Sequence, residues 1–196
     1  MTEVKQNFGW ACPECQTERL EACVKKNLLM IHTGDGKGKT TAALGLAFRA
    51  VGHGHRVCVI QFIKGSWKYG ERETASRLED LLEFHVMGRG FTWQSDNLAE
   101  DAALARKAWE LAKEKILSRK YQLVILDELT YLISYKMLTE EEVLTFLRQQ
   151  PEDVHVLITG RNASAGLTEM ADMVTEMQPV KHHYKTGIKA QKGIEF

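Results

Sequence analysis

Met30-Ile31-His32-Thr33-Gly34-Asp35-Gly36-Lys37-Gly38-Lys39-Thr40-Thr41 is the stretch on which the fold turns. An apolar lead-in from Leu28 runs into three alternating glycines, then Lys-Thr-Thr, then the helix-forming run Ala42 to Arg49. Strand, glycine loop and helix in that order make a phosphate-binding loop. The glycines let successive backbone N–H groups turn inward as an anion nest, and the following helix aims its positive end at the same point. Lys39 is placed to reach the terminal phosphates, and the Thr40 hydroxyl to ligate Mg²⁺. One position departs from the common pattern: counting back from Lys39, the first glycine slot of G-x-x-x-x-G-K-[ST] falls on Thr33, with Gly34 one place later.

Outward from this loop, the chain alternates between strand and helix. A helix is expected over 40–51, stopped by Gly52 and Gly54. The β-branched apolar run 57–63 predicts a strand buried on both faces, with Cys58 as a small core residue. Residues 65–70 read as a loop, 71–82 as a helix, 83–87 as a short strand and 88–93 as a second loop rich in aromatics. Over 97–118, apolar residues at Leu98, Ala102, Ala105, Trp109, Ala112 and Ile116 form one helical stripe, which makes Trp109 core. Strand 123–126 ends in Asp127-Glu128. Helix 139–149 opens on a capping box, with Thr139 capping and Glu142 reaching back. Strand 154–159, helix 164–171 and a short strand 173–177 complete the pattern before a polar, lysine-bearing tail.

This alternation predicts an α/β, P-loop NTPase-like three-layer fold: a mostly parallel central sheet with helices on both faces. Ligands of such sheets bind at the carboxyl ends of the strands. The loops at 33–39, 64–70, 88–93, 127–131 and 160–162 should therefore converge on one rim. Asp127-Glu128, closing an apolar strand, is the acidic partner that a phosphate loop needs to orient Mg²⁺. Acidic pairs at strand ends are often merely structural; beside a glycine loop they point to a nucleoside triphosphate site, most simply for ATP.

The 196 residues, 44% hydrophobic and 27% charged, describe an ordinary soluble chain. A net charge of +0 leaves no global electrostatic footprint for nucleic acid. No apolar run approaches the roughly 20 residues of a membrane helix, and the first ten residues lack the apolar core of a signal peptide. The expected location is cytoplasmic. Residues 1–27 read as a separate cysteine-bearing arm ahead of a domain at 28–196. Cys12-Pro13-Glu14-Cys15 has the spacing of a metal knuckle, and Cys23 is a candidate third ligand for zinc or iron. A closed structural site wants four ligands, so a mobile arm with free thiols is the competing reading.

Periodicity and spacing do not choose the reaction; further motifs do. The loop 33–43, Arg49-Ala50-Val51-Gly52-His53-Gly54, Val59-Ile60-Gln61-Phe62-Ile63-Lys64-Gly65, Gly90-Phe91-Thr92-Trp93, Leu126-Asp127-Glu128-Leu129-Thr130-Tyr131, Ile158-Thr159-Gly160-Arg161, Pro179-Val180-Lys181-His182 and the closing Lys189 to Phe196 together resemble the ATP:corrinoid adenosyltransferases of the cobalamin-biosynthesis type. The resemblance covers about 28–196, and Thr33 in the first glycine slot belongs to that family's pattern. It implies adenosyl transfer: cobalt(I) of a reduced corrinoid attacks the ribose 5′-carbon of ATP, and triphosphate leaves. ATP-binding residues implied are Gly34, Asp35, Gly36, Lys37, Gly38, Lys39, Thr40, Thr41 and Arg161, holding ATP reversed relative to ordinary P-loop enzymes. Thr40 and Glu128 are implied as Mg²⁺ partners, with Asp127 behind them. Phe91 and Trp93 are implied to pack beneath the corrinoid and displace its lower axial ligand, so that a flavodoxin-like donor can reduce cobalt; without the family they would read as a hydrophobic plug. Lys64 is a further candidate for the corrinoid, and a homodimer is implied. The competing classes are a P-loop phosphotransferase or regulatory ATPase releasing ADP, and a corrinoid carrier without turnover.

Overall fold

The computed structural model describes residues 26–65, 69–88, 90 and 98–195. Phe91, Trp93, Cys12, Cys15 and Cys23 lie outside them. Twelve helices and strands follow in order among the described residues: β1 (Leu29–Thr33), α1 (Lys39–Gly52), β2 (Val57–Gln61), α2 (Gly70–Ala75), β3 (Leu82–Val86), α3 (Leu98–Leu117), β4 (Leu123–Asp127), α4 (Leu129–Ser134), α5 (Glu140–Leu147), β5 (His155–Thr159), α6 (Ala165–Met170) and β6 (Met173–Glu176). A 3₁₀ turn, His183–Thr186, follows in the tail.

The six strands form one sheet in the order β3-β2-β4-β5-β1-β6, and every pairing is parallel. Alternate side chains go to opposite faces of a strand, and the core divides accordingly. Met30, Val57, Val59, Leu123, Ile125 and Leu157 meet Ala43, Ala47 and Ala50 of α1 on one face. Ile31, Cys58, Ile60, Val124, Leu126, Val156 and Ile158 meet Ala105, Trp109, Ala112 and Ile116 of α3 and Val143 and Leu144 of α5 on the other. Trp109 is fully buried and packs edge-on against Phe146, with ring centroids 5.3 Å apart. Connections leaving β1 and β5 run to opposite edges of the sheet, which opens the crevice beyond the strand ends where the site lies.

Three expectations need correction. The helix expected over 71–82 closes at Ala75, and Leu82 already belongs to β3. Leu81 and Leu82 both donate their N–H groups to the Leu78 carbonyl, so a turn, not a helix, delivers the chain to the sheet edge. The segment 127–131 is not all loop: α4 begins at Leu129, because Leu129 and Leu132 have core to fill. Thr139 caps α5 as expected, its Oγ1 accepting the Glu142 N–H at 3.2 Å, but the Glu142 carboxylate faces Arg106 at 3.6 Å instead of reaching back.

Candidate functional site

Four of the five rim loops line a single cavity of about 520 Å³, shared by the phosphate loop, Lys64, Glu71, Glu128, Tyr131, Gly160, Arg161 and the tail residues His182 and Glu195. The fifth loop is described only at its start, where the Gly90 N–H donates to the Ile63 carbonyl at 3.0 Å and so lies beside Lys64.

The phosphate loop is built as its sequence requires, with two additions. Gly38 sits at φ 109, a conformation that costs a glycine little, and turns the chain into α1 with no side-chain cap. Thr33, in the glycine slot, has a packing role: its Oγ1 accepts the Ala163 N–H at 3.1 Å and ties the loop after β5 to the loop after β1. The anion nest is smaller than expected. The Gly36 N–H is given to the Met177 carbonyl at 2.6 Å, and a Cβ on Gly36 would come within 2.7 Å of that same oxygen. Gly36 is therefore needed for the close passage of the tail.

Lys39 donates to the Gly34 and Gly36 carbonyls at 2.6 and 2.7 Å. Burial, then the nearby Arg161 charge, hold its pKa below the ordinary lysine value, while Asp35 and Glu128 oppose them. Arg161 leans on Asp35, with its Nε 3.7 Å from the carboxylate. Lys37 pairs with Glu195. Thr41 lines the same cavity.

The two acidic residues after β4 have different environments. Asp127 is 1% exposed, and its Oδ1 accepts the hydroxyls of Thr40 at 2.9 Å and Thr159 at 2.7 Å. Its Oδ2 accepts the Gln61 amide at 2.9 Å and lies 3.9 Å from the Lys64 ammonium. Asp127 thus acts through the hydroxyls it holds. Glu128 stands at φ 67, a left-handed conformation that is uncommon outside glycine and is held here by its N–H donating to Thr159 Oγ1 at 2.9 Å. Burial first, then the adjacent Asp127 charge, push its carboxyl up to about 7, against the pull of Lys64, Lys39 and Arg161. For Lys64, burial disfavours the ammonium, but Asp127 and Glu71 outweigh it, and the pKa ends above the ordinary value. Lys64 reaches Glu71 at 3.1 Å, so this candidate corrinoid contact already serves the carboxylates.

Hard oxygen donors lining one cavity, the Thr40 hydroxyl and the desolvated Glu128 carboxylate, fit a divalent cation such as Mg²⁺, which would also relieve the cost of charging Glu128. Among the described residues, no group of three or more His, Cys, Asp or Glu side chains gathers as a metal site. An ion here would complete its shell with phosphate oxygens and water.

Gln61, Thr159, Tyr131, His182 and Glu195 stand within the motifs that carry the resemblance, but sequence reasoning gave none of them a role in the site. A lone amide inside the apolar run 57–63 is the signal that could have found Gln61. Glu195 carries no local signal at all.

Comparison with known proteins agrees with this geometry. The family described as ATP:corrinoid adenosyltransferase BtuR/CobO/CobP matches residues 25–196. A corrinoid adenosyltransferase of Escherichia coli K12 is 45% identical over 193 residues, 98% of this chain and 94% of its own. At that coverage the match reaches into the cysteine-bearing N-terminal segment. The corrinoid adenosyltransferase CobA of Salmonella typhimurium is 43% identical over 90% of this chain and 89% of its own. In fold alone, the flagellar accessory protein FlaH of Methanocaldococcus jannaschii is similar, with a TM-score of 0.53 at 12% identity over 76% of this chain and 70% of that one. Among the described residues, no helix is long and apolar enough to cross a membrane.

Proposed function

The chain belongs to the family of ATP:corrinoid adenosyltransferases, and on that premise we propose how its rim cavity carries out the transfer. The enzyme moves the 5′-deoxyadenosyl group of ATP to cobalt(I) of a reduced corrinoid: a cobalt–carbon bond forms, the bond from C5′ to the triphosphate oxygen breaks, and triphosphate departs. Cobalt(I) supplies both electrons of the new bond, so no protein base is needed.

What the protein must do is hold and neutralise the leaving group. Lys39, Lys37, Arg161 and the remaining N–H groups of the loop 34–41 bind the triphosphate, whose charge grows as the bond breaks. Thr40 and Glu128 would hold Mg²⁺, whose chemistry there would be added positive charge on the leaving triphosphate. Asp127 orients Thr40 by accepting a hydrogen bond from its hydroxyl, which leaves the hydroxyl lone pairs free for a cation. Phe91 and Trp93 act on the corrinoid, for which Lys64 is a further contact, and displace the lower axial ligand before reduction by a flavodoxin-like donor. The working unit is a homodimer in the cytoplasm, made of an arm over 1–27 and a domain over 28–196. Cys12, Cys15 and Cys23 are candidate ligands for zinc or iron within that arm.

The observation that carries this reading is the convergence of Lys39, Thr40, Glu128 and Arg161 on one cavity at the carboxyl ends of the strands. Its test is incubation with MgATP and chemically reduced cobalamin, followed by the visible spectrum. Light-sensitive adenosylcobalamin should form with an equal amount of triphosphate. ADP as the product would instead mean a phosphotransferase or regulatory ATPase, and binding without a Co–C product a carrier. Trp93→Ala should slow turnover that depends on the reductase far more than turnover of prereduced corrinoid; equal losses would remove Trp93 from the reduction step.

A further inference from the structure

The tail after β6 is built into the phosphate site. The Met177 N–H donates to the Thr33 carbonyl at 2.9 Å while its own carbonyl accepts from Gly36, so the chain crosses directly over the glycine loop. It then turns through His183–Thr186 and returns, so that Gly193, Ile194 and Glu195 line the cavity opposite Lys37 and Lys39. The Glu195 side chain is only 13% exposed and meets two nitrogen groups: the Lys37 ammonium and His183 Nε2, the latter at 2.6 Å. The His183 ring stacks on His182, with centroids 4.7 Å apart. Lys37 first, with His183 and His182 adding to it, holds the Glu195 carboxyl below the usual range, so it is a carboxylate at neutral pH.

Lys37 has one ammonium, half exposed toward the cavity in which the triphosphate must lie. Glu195 and a phosphate chain therefore compete for it. We propose that Glu195 is an internal competitor for the triphosphate: it holds Lys37 in the free enzyme, yields it to the nucleotide, and takes it back as triphosphate leaves. This inference rests on the ATP reading above. It makes the carboxyl terminus a device that lowers affinity for product, which matters for a reaction whose leaving group is held by several cations at once.

The test is calorimetric titration of the full chain with inorganic triphosphate and, separately, MgATP, for wild type, Glu195→Gln, Lys37→Met and the double variant. Glu195→Gln should bind inorganic triphosphate about three- to tenfold more tightly, the scale of one partly exposed charge-assisted contact. The same substitution in the Lys37→Met background should gain less than about twofold, because the competition runs through Lys37. A gain of affinity is not what a merely structural role would give. His183→Gln, which loosens the grip on Glu195, should shift affinity the same way by a smaller factor and serves if Glu195→Gln does not fold. Unchanged or weaker triphosphate binding in both variants overturns the inference, as does a gain of equal size without Lys37. If wild type and variants bind neither MgATP nor triphosphate, the nucleotide reading itself falls, and this inference falls with it.

Discussion

Glu83 and Glu128 lie toward opposite ends of two different strands in one parallel sheet, β3 and β4, and their surroundings pull their acidity in opposite directions. Glu83, near the start of β3, accepts from Lys115 at 2.6 Å, His85 at 2.5 Å and the Tyr121 hydroxyl. Burial alone would raise its pKa, but those donors outweigh it and bring it down to about 2. Tyr121 is correspondingly pushed up to about 12 by burial and by its bond to Glu83. Glu128, just past the end of β4, is buried beside a second carboxylate and rises to about 7. The first carboxylate is satisfied within the fold and pins α3 to the sheet edge. The second carries a charge that the fold leaves uncompensated, as binding sites do when a ligand is to supply the missing partner.

The contrast is broken most strongly through activity. Lys39→Ala should lower the rate of adenosylcobalamin formation by about 10²–10³, the scale of one preorganised charge donor. Glu83→Gln, an equal loss of charge at the other end, should change that rate by less than about threefold. A large effect at Glu83, or near-normal turnover without Lys39, would dissolve the distinction.

Stability sharpens it next. A carboxyl with a raised folded pKa weakens the fold at high pH, and the penalty fades as pH falls from about 7 toward the ordinary 4.5. Glu128→Gln should therefore abolish activity yet stabilise the protein, measured without nucleotide or divalent cation, by about 2 kcal/mol at pH 8, with the gap closing near pH 4.5. A lower melting temperature at pH 8 would contradict the raised pKa.

Glu83 has the opposite sign. Its stabilisation is present above about 4.5 and is lost as pH falls toward 2. Glu83→Gln should cost about 1–2 kcal/mol at pH 7, kept low because the side chain is a third exposed and screened by water. Denaturant titrations of the variant should also lose part of the wild-type fall in stability between pH 4.5 and 2. Smallest of all, Tyr121→Phe removes one of three donors and should cost about 1 kcal/mol, read by the same titration at pH 7.

Much of this was legible along the chain. The strands over 57–61, 123–127 and 155–159 are apolar on both faces, which marks a buried parallel sheet whatever its order. The phosphate loop and Asp127-Glu128 could be read because each combines a strand end with the residue types the chemistry needs. The stop of α2 at Ala75 could not: nothing in 76–82 breaks a helix locally, and pairing of Leu82 with Val57 overrides propensity. Local pattern does not separate Asp127 from Glu128 either, since both acids close the same strand. The family resemblance implied different roles, and the hydroxyls of Thr40 and Thr159 held by Asp127 give the physical difference.

The sequence by itself determined the layers, the position of the loop and the class of ligand, because hydrophobic period, glycine spacing and helix polarity are properties of neighbours in the chain. The tertiary structure alone decided which carboxylate is satisfied and which is strained, and that the tail closes over the loop. Thr40 and Asp127 are 87 residues apart, and Lys37 and Glu195 are 158 apart. Contacts of that span follow from the strand order and the path of the chain across it, which no local pattern records.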